Sequence, residues 1–464
     1  MDAAEPTPET TCSRCRELEA RLRQVEARNL ELEARLRDLE DQIKPPPPKP
    51  FEPLPTAPPQ TPTGKKRGGQ PGHPPHLKKW LPLERVTKIA EYTPDHCENC
   101  ERPLDAIAND PSPTVHQVAE LPKILAEITE HRGHSRTCPC GHTTRAAIPA
   151  DVRGHTLGAK LTATLVYFSG VHGMSKRGIE ETVEAVFGVP VALGTIANVE
   201  REISAALEPE YRKVREQVAD APVKNLDETG WKQGGKKRWL WVAATVNLVL
   251  FRIHPRRNLD ALKLLLGKLA GVLISDRWCV YDEWDFECRQ LCWAHVGRNW
   301  EKWIASGGKA KALGEQWLAT QKLVFELWHL FRGGGCTRDE LEDRMVPHID
   351  ALGELLHAGM RSRDAALARR CERLIDRYPL LWLFVTVEGV EPTNNHGERV
   401  QRRAVIWRRR SFGTQSAAGS QFVERILTAV ETLRLQKRNV LEFLSETLAA
   451  TREGRPAPTL CAVG

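Results

Sequence analysis

Three apolar stretches of strand length, residues 223–226, 239–250 and 251–254, precede a helical pattern over 259–269 and a fourth strand-like run at 271–274. A mixed α/β sheet accommodates three strands, a helix and a strand in that order; a helical bundle or a β-sandwich does not. Asp227 follows the first run directly, and Asp276 closely follows the last. A third carboxylate, Glu398, opens an arginine-rich stretch with helical periodicity. Two acids on strand ends and one on a helix, far apart in sequence, form the donor set that a two-metal phosphoryl-transfer site needs.

Acids at adjacent strand tips suit a ribonuclease-H-like α/β fold over 216–450. Residues 297–385 are helical by pattern, tryptophan-rich and broken at 333–335, and read as an insertion before the Glu398 helix. With 464 residues, two to four domains and a large core are expected. The net charge of +7 is modest, but the basic residues cluster. One cluster is Lys65, Lys66 and Arg67; a denser one, from Arg399 to Arg410, is interleaved with Trp407 and followed by Phe412. Such clusters suit phosphate contacts. The first ten residues are acidic and proline-containing rather than basic then apolar, and no apolar run reaches bilayer length. The reading is therefore a cytoplasmic protein without a membrane partner. Its twelve cysteines are expected to be reduced or metal-bound.

The N-terminal part is segmented. Leu18, Leu22, Val25, Asn29, Leu32, Leu36, Leu39 and Ile43 alternate at spacings of four and three, which predicts a dimeric coiled coil within 1–44, with Asn29 fixing its register. Four prolines from Pro45 end that helix and begin a linker and basic arm over 45–79, suited to DNA phosphate. Residues 80–150 read as a small strand-rich module. Cys97 and Cys100 form one close pair, and Cys138 and Cys140 a second, so the four can present thiolates to a structural Zn²⁺. His142, His134 or His96 can replace one of them. Residues 151–215 are helical, with a turn at 188–190 compatible with a helix-turn-helix. Residues 451–464 form a tail.

The chain resembles the transposases of insertion sequence family sixty-six, a bacterial DDE group. The resemblance runs nearly end to end. It rests on the zipper-like helix, G-G-Q-P-G-H in the arm, the cysteine module and D-E-T-G-W at Asp227. It continues through S-D-x-x-x-x-Y at Asp276, C-W-A-H-x-x-R from Cys292 to Arg298, and T-N-N-x-x-E-R from Thr393 to Arg399. The second cysteine pair departs from the family's usual C-x-x-C. By resemblance the catalytic triad is Asp227, Asp276 and Glu398. Asp282 is the main rival for the second position, and Glu228 and Glu391 are lesser ones.

The resemblance implies strand cleavage at an element's ends and strand transfer into target DNA, using two Mg²⁺ or Mn²⁺ ions on the three acids. Asn394, Asn395, Arg399, Arg402, Arg403, His295 and Arg298 are the expected DNA contacts, beside the basic arm. Double-stranded DNA, a homodimer or higher oligomer, accessory transposition proteins and a nucleoid location follow from the same reading. A DNA-binding regulator without catalysis, and a ribonuclease-H-like nuclease that cuts without joining, are the competing functions.

Overall fold

The computed structural model describes residues 80–464 apart from 105–112, 122–123, 306 and 462–464, together with isolated positions between 20 and 35. The heptad seam and the arm carrying Lys65, Lys66 and Arg67 lie outside the described residues. The chain divides into two compact units, 1–119 and 120–464. In the first, an isolated bridge between His96 and Pro103 closes the turn that holds Cys97 and Cys100. In the second, strands β1 (Ser135–Thr137) and β2 (Thr143–Arg145) pair antiparallel around Cys138 and Cys140. The strand-rich module expected over 80–150 is therefore mostly irregular among the described residues. None of the described side chains over 80–149 is buried, so no core lines up longer strands there.

The larger unit is a mixed α/β structure. Strands β3 (Val223–Gln233), β4 (Lys236–Ala244), β5 (Val249–His254), β6 (Val272–Ser275) and β7 (Arg289–Leu291) form one sheet in the order β5-β4-β3-β6-β7. The first three form an antiparallel meander, and β6 and β7 join in parallel. Gly234 and Gly235, with φ of 55° and 74°, make the two-residue turn between β3 and β4, a geometry that needs positive φ at both positions. The helix Leu259–Leu266, started by the Asn258 side chain accepting from Ala261 N–H at 3.3 Å, carries the chain across from β5 to β6.

Two sequence expectations need correction. Residues 239–250 are not one strand: Thr245 and Leu248 exchange hydrogen bonds and turn the chain between β4 and β5. Nor does β3 end at Asp227. Its parallel pairing with β6 stops at Asn225, opposite Ile274, while its antiparallel pairing with β4 continues through Asp227, opposite Val242, to Gln233.

β4 reads as continuously apolar because both sheet faces are covered. Trp241 and Ala243 enter the core shared with the helices Ala159–Val166, Leu193–Ala206 and Ala417–Leu435. Leu240, Val242 and Ala244 enter a second core with Val400 and Ala404 of the helix Asn395–Ser411. A third core is built on Trp293 and on Trp300, Trp317 and Trp328 of the insertion, whose long helices are Gly308–Arg332 and Arg338–Met360.

The outer edge of β5 is covered by side chains rather than another strand. Glu424, Thr428 and Thr432, four residues apart on Ala417–Leu435, accept the N–H groups of Ile253, Phe251 and Val249 at 2.8, 3.0 and 3.0 Å. Four helical residues rise about 6 Å and two strand residues about 6.7 Å, so the two repeats stay in step for three contacts. This arrangement both satisfies and blocks the edge. Among the described residues no helix is long and apolar enough to cross a membrane.

Candidate active site

The parallel ladder opens where β6 ends. Asp227 lies two residues beyond the last paired position of β3, and Asp276 two residues beyond its partner on β6, so the acids sit at matched heights on diverging strands. The opening is filled from the Glu398 helix. Asn394, fully buried, accepts from Asn225 Nδ2 at 2.8 Å and donates to the Leu226 carbonyl at 2.7 Å. Its own N–H donates to Cys292 Sγ at 3.2 Å. This bolt places Glu398 in the first turn of Asn395–Ser411, beside the split strands.

Asp227 is the electrostatic centre. Burial first, then the charges of Glu228, Asp276 and Glu398, push its carboxyl up to about 7, against a smaller opposing effect of the Glu228 N–H, which donates to its Oδ1 at 2.9 Å. The Gln401 amide, oriented so that both its atoms are satisfied, donates to Asp227 Oδ2 at 3.2 Å and accepts the Glu228 N–H at 3.3 Å. Gln401 stands one turn after Glu398 and is buried. The sequence reading missed it. The signal available was a polar residue three positions after Glu398, hence on the same helix face.

Asp276 holds the Trp278 N–H at 2.9 Å. Glu398 Oε1 lies 3.4 Å from Arg298 Nη2 and 3.7 Å from His295 Nδ1. His295 Nδ1 is buried without a hydrogen bond, and burial first, then Arg298, lower the imidazole below its usual range.

The rivals are otherwise engaged. Burial alone would raise the Asp282 carboxyl, but hydrogen bonds from Arg377 at 2.8 Å and Arg289 at 2.7 Å outweigh it and hold it low. Glu228 is buried between Arg257 and the Tyr281 hydroxyl. Arg257 in turn lies 3.8 Å from the Trp278 ring centre. Glu391 pairs with Arg332. Tyr281, the last residue of S-D-x-x-x-x-Y, thus ties the Asp276 loop to the residue after Asp227.

The expected DNA contacts differ in how free they are. Asn394 is fully buried with both amide atoms used, so it cannot reach a ligand. Arg403 is half-buried: its Nε donates to Glu431 at 2.6 Å and its Nη1 to the Val171 carbonyl at 2.8 Å, and it lines the same cleft as Arg399 and Arg402. Asn395, Arg399 and Arg402 are exposed. Arg399 and Arg402 line a cleft of about 340 Å³ against Gly170–Gly173.

Geometry and motif order meet the family comparison here. Residues 154–422, more than half of the chain, match the model described as "Transposase IS66 family". The chain belongs to the IS66 transposase family. A curated relative, "Uncharacterized protein y4qI" of Sinorhizobium fredii (strain NBRC 101917 / NGR234), is 26% identical over 247 residues. That match covers 48% of this chain and 45% of the relative, so the chain spans about half the length of the curated relative it matches.

The three acids are neighbours rather than a closed ligand set: among the described residues no three His, Cys, Asp or Glu are gathered tightly enough to hold a metal ion. The donor chemistry nevertheless fits hard divalent cations. All three donors are carboxylates, and Asp227 is hydrogen-bonded to no cationic side chain. The cysteine pairs are each preorganised. Backbone hydrogen bonds from Asn99 and Cys100 lower the Cys97 thiol, and that from His142, then the Cys138 thiol, lower Cys140. Low thiols of this kind suit metal ligation.

Proposed function

We propose that this IS66-family chain is a DDE transposase that binds the ends of an insertion element and catalyses metal-dependent DNA strand cleavage and strand transfer. The observation that carries the reading is the convergence of Asp227, Asp276 and Glu398 at the split in the sheet, with Asp227 held near 7 by the surrounding burial and negative charge. The sheet order β5-β4-β3-β6-β7, with a meander on one side and parallel strands on the other, supports a ribonuclease-H-like core.

Asp227, Asp276 and Glu398 would hold two Mg²⁺ or Mn²⁺ ions, which oxygen donors favour over softer metals. When bound, the ions would stabilise negative charge on the attacking and leaving oxygens of a phosphodiester. The protein supplies the rest. The Gln401 amide and the Glu228 N–H hold both oxygens of Asp227, limiting its rotation. Arg257 and Tyr281 take up the Glu228 carboxylate, so that it does not compete for the ions. Arg298 and His295 bracket Glu398 and fix its approach. Burial holds the His295 imidazole low, and its buried Nδ1 faces Glu398 rather than the open side of the site. Arg399, Arg402 and Asn395, on the open side of the helix, are placed to hold phosphates away from the reacting centre. Each cysteine pair by itself offers two thiolates suited to a structural Zn²⁺.

The test is cleavage and joining of labelled DNA that carries the flanking element's ends, with Mg²⁺, comparing wild type with Asp276→Asn. Product from wild type alone is the expected result. Product surviving in Asp276→Asn would remove that residue from the triad. Cleavage without joining would favour the nuclease, and binding without either the regulator.

A further inference from the structure

The end of the catalytic helix carries an unusual residue. Phe412 caps Asn395–Ser411 in the left-handed conformation, φ 57° and ψ 16°, its N–H donating to the Arg408 carbonyl at 2.8 Å, and it is 74% exposed. A bulky L-residue is disfavoured in that backbone region, where glycine or asparagine is normal. Exposing a phenyl ring adds a second cost. Neither helix capping nor core packing requires this side chain.

Its surroundings are rigid and basic. Thr414 N–H donates to the Lys232 carbonyl at 2.9 Å, and Gly234 N–H donates to the Thr414 carbonyl at 2.8 Å. Thr414 Oγ1 accepts from Trp231 Nε1 at 3.3 Å and meets Ser420 Oγ at 2.7 Å. Gly413 is packed so closely that a Cβ there would lie 2.2 Å from the Lys232 carbonyl oxygen. The β3–β4 turn and the end of the helix are therefore one braced unit. Lys232, Lys236, Lys237 and Arg409 are exposed on it, and none of the four forms an ion pair with an acidic side chain of the described residues, although Lys237 Nζ lies 4.9 Å from the Trp239 ring centre.

We infer that this braced unit is a DNA-contact surface, separate from the catalytic acids, in which Lys232, Lys236, Lys237 and Arg409 hold phosphates and Phe412 stacks on a base exposed where the duplex is open. This rests on the DNA-processing function proposed above. Cations without an acidic partner on the same braced unit as an exposed aromatic ring are a pairing that open nucleic acid selects: charge for the backbone, a π-face for the base. Asp227 lies seven residues before the turn on an extended strand, about 23 Å at 3.3 Å per residue. The surface thus engages DNA some seven base-pair steps from the reacting phosphate.

The full chain is titrated by fluorescence anisotropy with a fully paired duplex and with the same duplex ending in a short unpaired fork, over a series of salt concentrations. Wild type is expected to favour the fork. Combined Lys232→Gln, Lys236→Gln and Lys237→Gln should reduce the salt slope of binding by about two to three, since each lost phosphate contact removes roughly 0.9. Phe412→Asn should melt no lower than wild type, because asparagine accepts the left-handed conformation. It should weaken fork binding by about 5- to 100-fold and leave paired-duplex binding nearly unchanged. An unchanged salt slope, or a fork preference that survives Phe412→Asn or is lacking in wild type, overturns the inference. If wild type binds neither DNA, the DNA-processing function fails with it. Binding to anionic lipid vesicles in place of DNA, lost in the lysine variant, would reassign the surface to a membrane.

Discussion

Replacing Asp227 by Asn should stabilise the protein when divalent metal is withheld, although the same change is expected to abolish catalysis. Burial and three neighbouring acids raise its carboxyl from 3.8 to about 7. A group raised in this way binds its proton more tightly in the folded state. Its contribution to stability is full below pH 3.8, is lost as pH rises toward 7, and stays lost above that. At pH 8 the folded protein carries an ionised Asp227 at a cost of about 4 kcal/mol, from roughly three pKa steps at 1.36 kcal/mol each. Relaxation of Asp276 and Glu398 lowers the expected gain to about 2–4 kcal/mol. Asparagine keeps the oxygen that accepts the Glu228 N–H, and the Gln401 amide can turn to accept from its NH₂ at the loss of its own bond from the Glu228 N–H. Thermal unfolding in chelator at pH 8 and near pH 4 checks this. The midpoint of Asp227→Asn should exceed that of wild type by several degrees at pH 8, and the difference should shrink toward pH 4. Mg²⁺ should raise the wild-type midpoint and leave the variant's unchanged. A variant that melts at or below wild type at pH 8 would refute the electrostatic account of the site.

Other residues make separate demands. Gln401→Leu removes the amide from Asp227 at similar volume; activity and Mg²⁺ affinity should each fall by about 10- to 100-fold, read by calorimetric titration beside the cleavage assay, and an unchanged affinity would show that the amide does not orient Asp227. Thr428→Val keeps the shape of the β5 edge cover but leaves the Phe251 N–H without its acceptor, so urea unfolding should report a loss of about 1–3 kcal/mol. Asn394→Ala unpairs the buried Leu226 carbonyl and the Asn225 amide together, with an expected loss of about 2–4 kcal/mol. Cleavage should fall with it, because the same contact positions the Glu398 helix; full activity in a destabilised Asn394→Ala would separate the two roles.

Much of the catalytic unit was legible because its signals are local. Strands β3 to β6 announce themselves as apolar runs, the crossover helix by its periodicity, and the insertion by its tryptophans, which close into a core; the three-residue β7, Arg-Gln-Leu, carries no such signal. What the sequence could not give was the partner of each polar group. Asn394 read as a capping or DNA-binding residue because its type suits either; only the split between β3 and β6 shows that it is consumed there. Asp282 was the main rival to Asp276, and its two partners, Arg289 of β7 and the sequence-distant Arg377 near the insertion's end, could not be read from its neighbourhood. The turn after β4 was hidden because Thr245 and Val246 prolong an apolar, β-favouring run, and the closing hydrogen bonds leave no compositional mark.

The helix Asn395–Ser411 connects these observations through its period. Positions 398, 401, 404 and 408 fall on one face: Glu398 enters the acid cluster, Gln401 holds Asp227, Ala404 fills the core, and Arg408 donates to Thr229 Oγ1 at 2.9 Å and to the Gly230 carbonyl. Arg399, Arg402, Ile406 and Arg409 fall on an exposed flank that adjoins Glu398. Farthest round the helix from the acid face, Arg403 and Arg410 reach back to the carbonyls of Val171 and His172 at 2.8 Å each. The Arg-rich stretch is thus three sets of arginines with different work. Arg408 fixes the helix on β3, Arg403 and Arg410 tie it to the preceding helical region, and Arg399, Arg402 and Arg409 are exposed. Since the same rigid element carries Glu398 and the free arginines, any DNA held by the exposed face is held at a set distance from the acids. Positioning of that kind is what lets a phosphodiester meet its reacting groups without a further search. A basic tail on a flexible linker would supply the charge but not the distance.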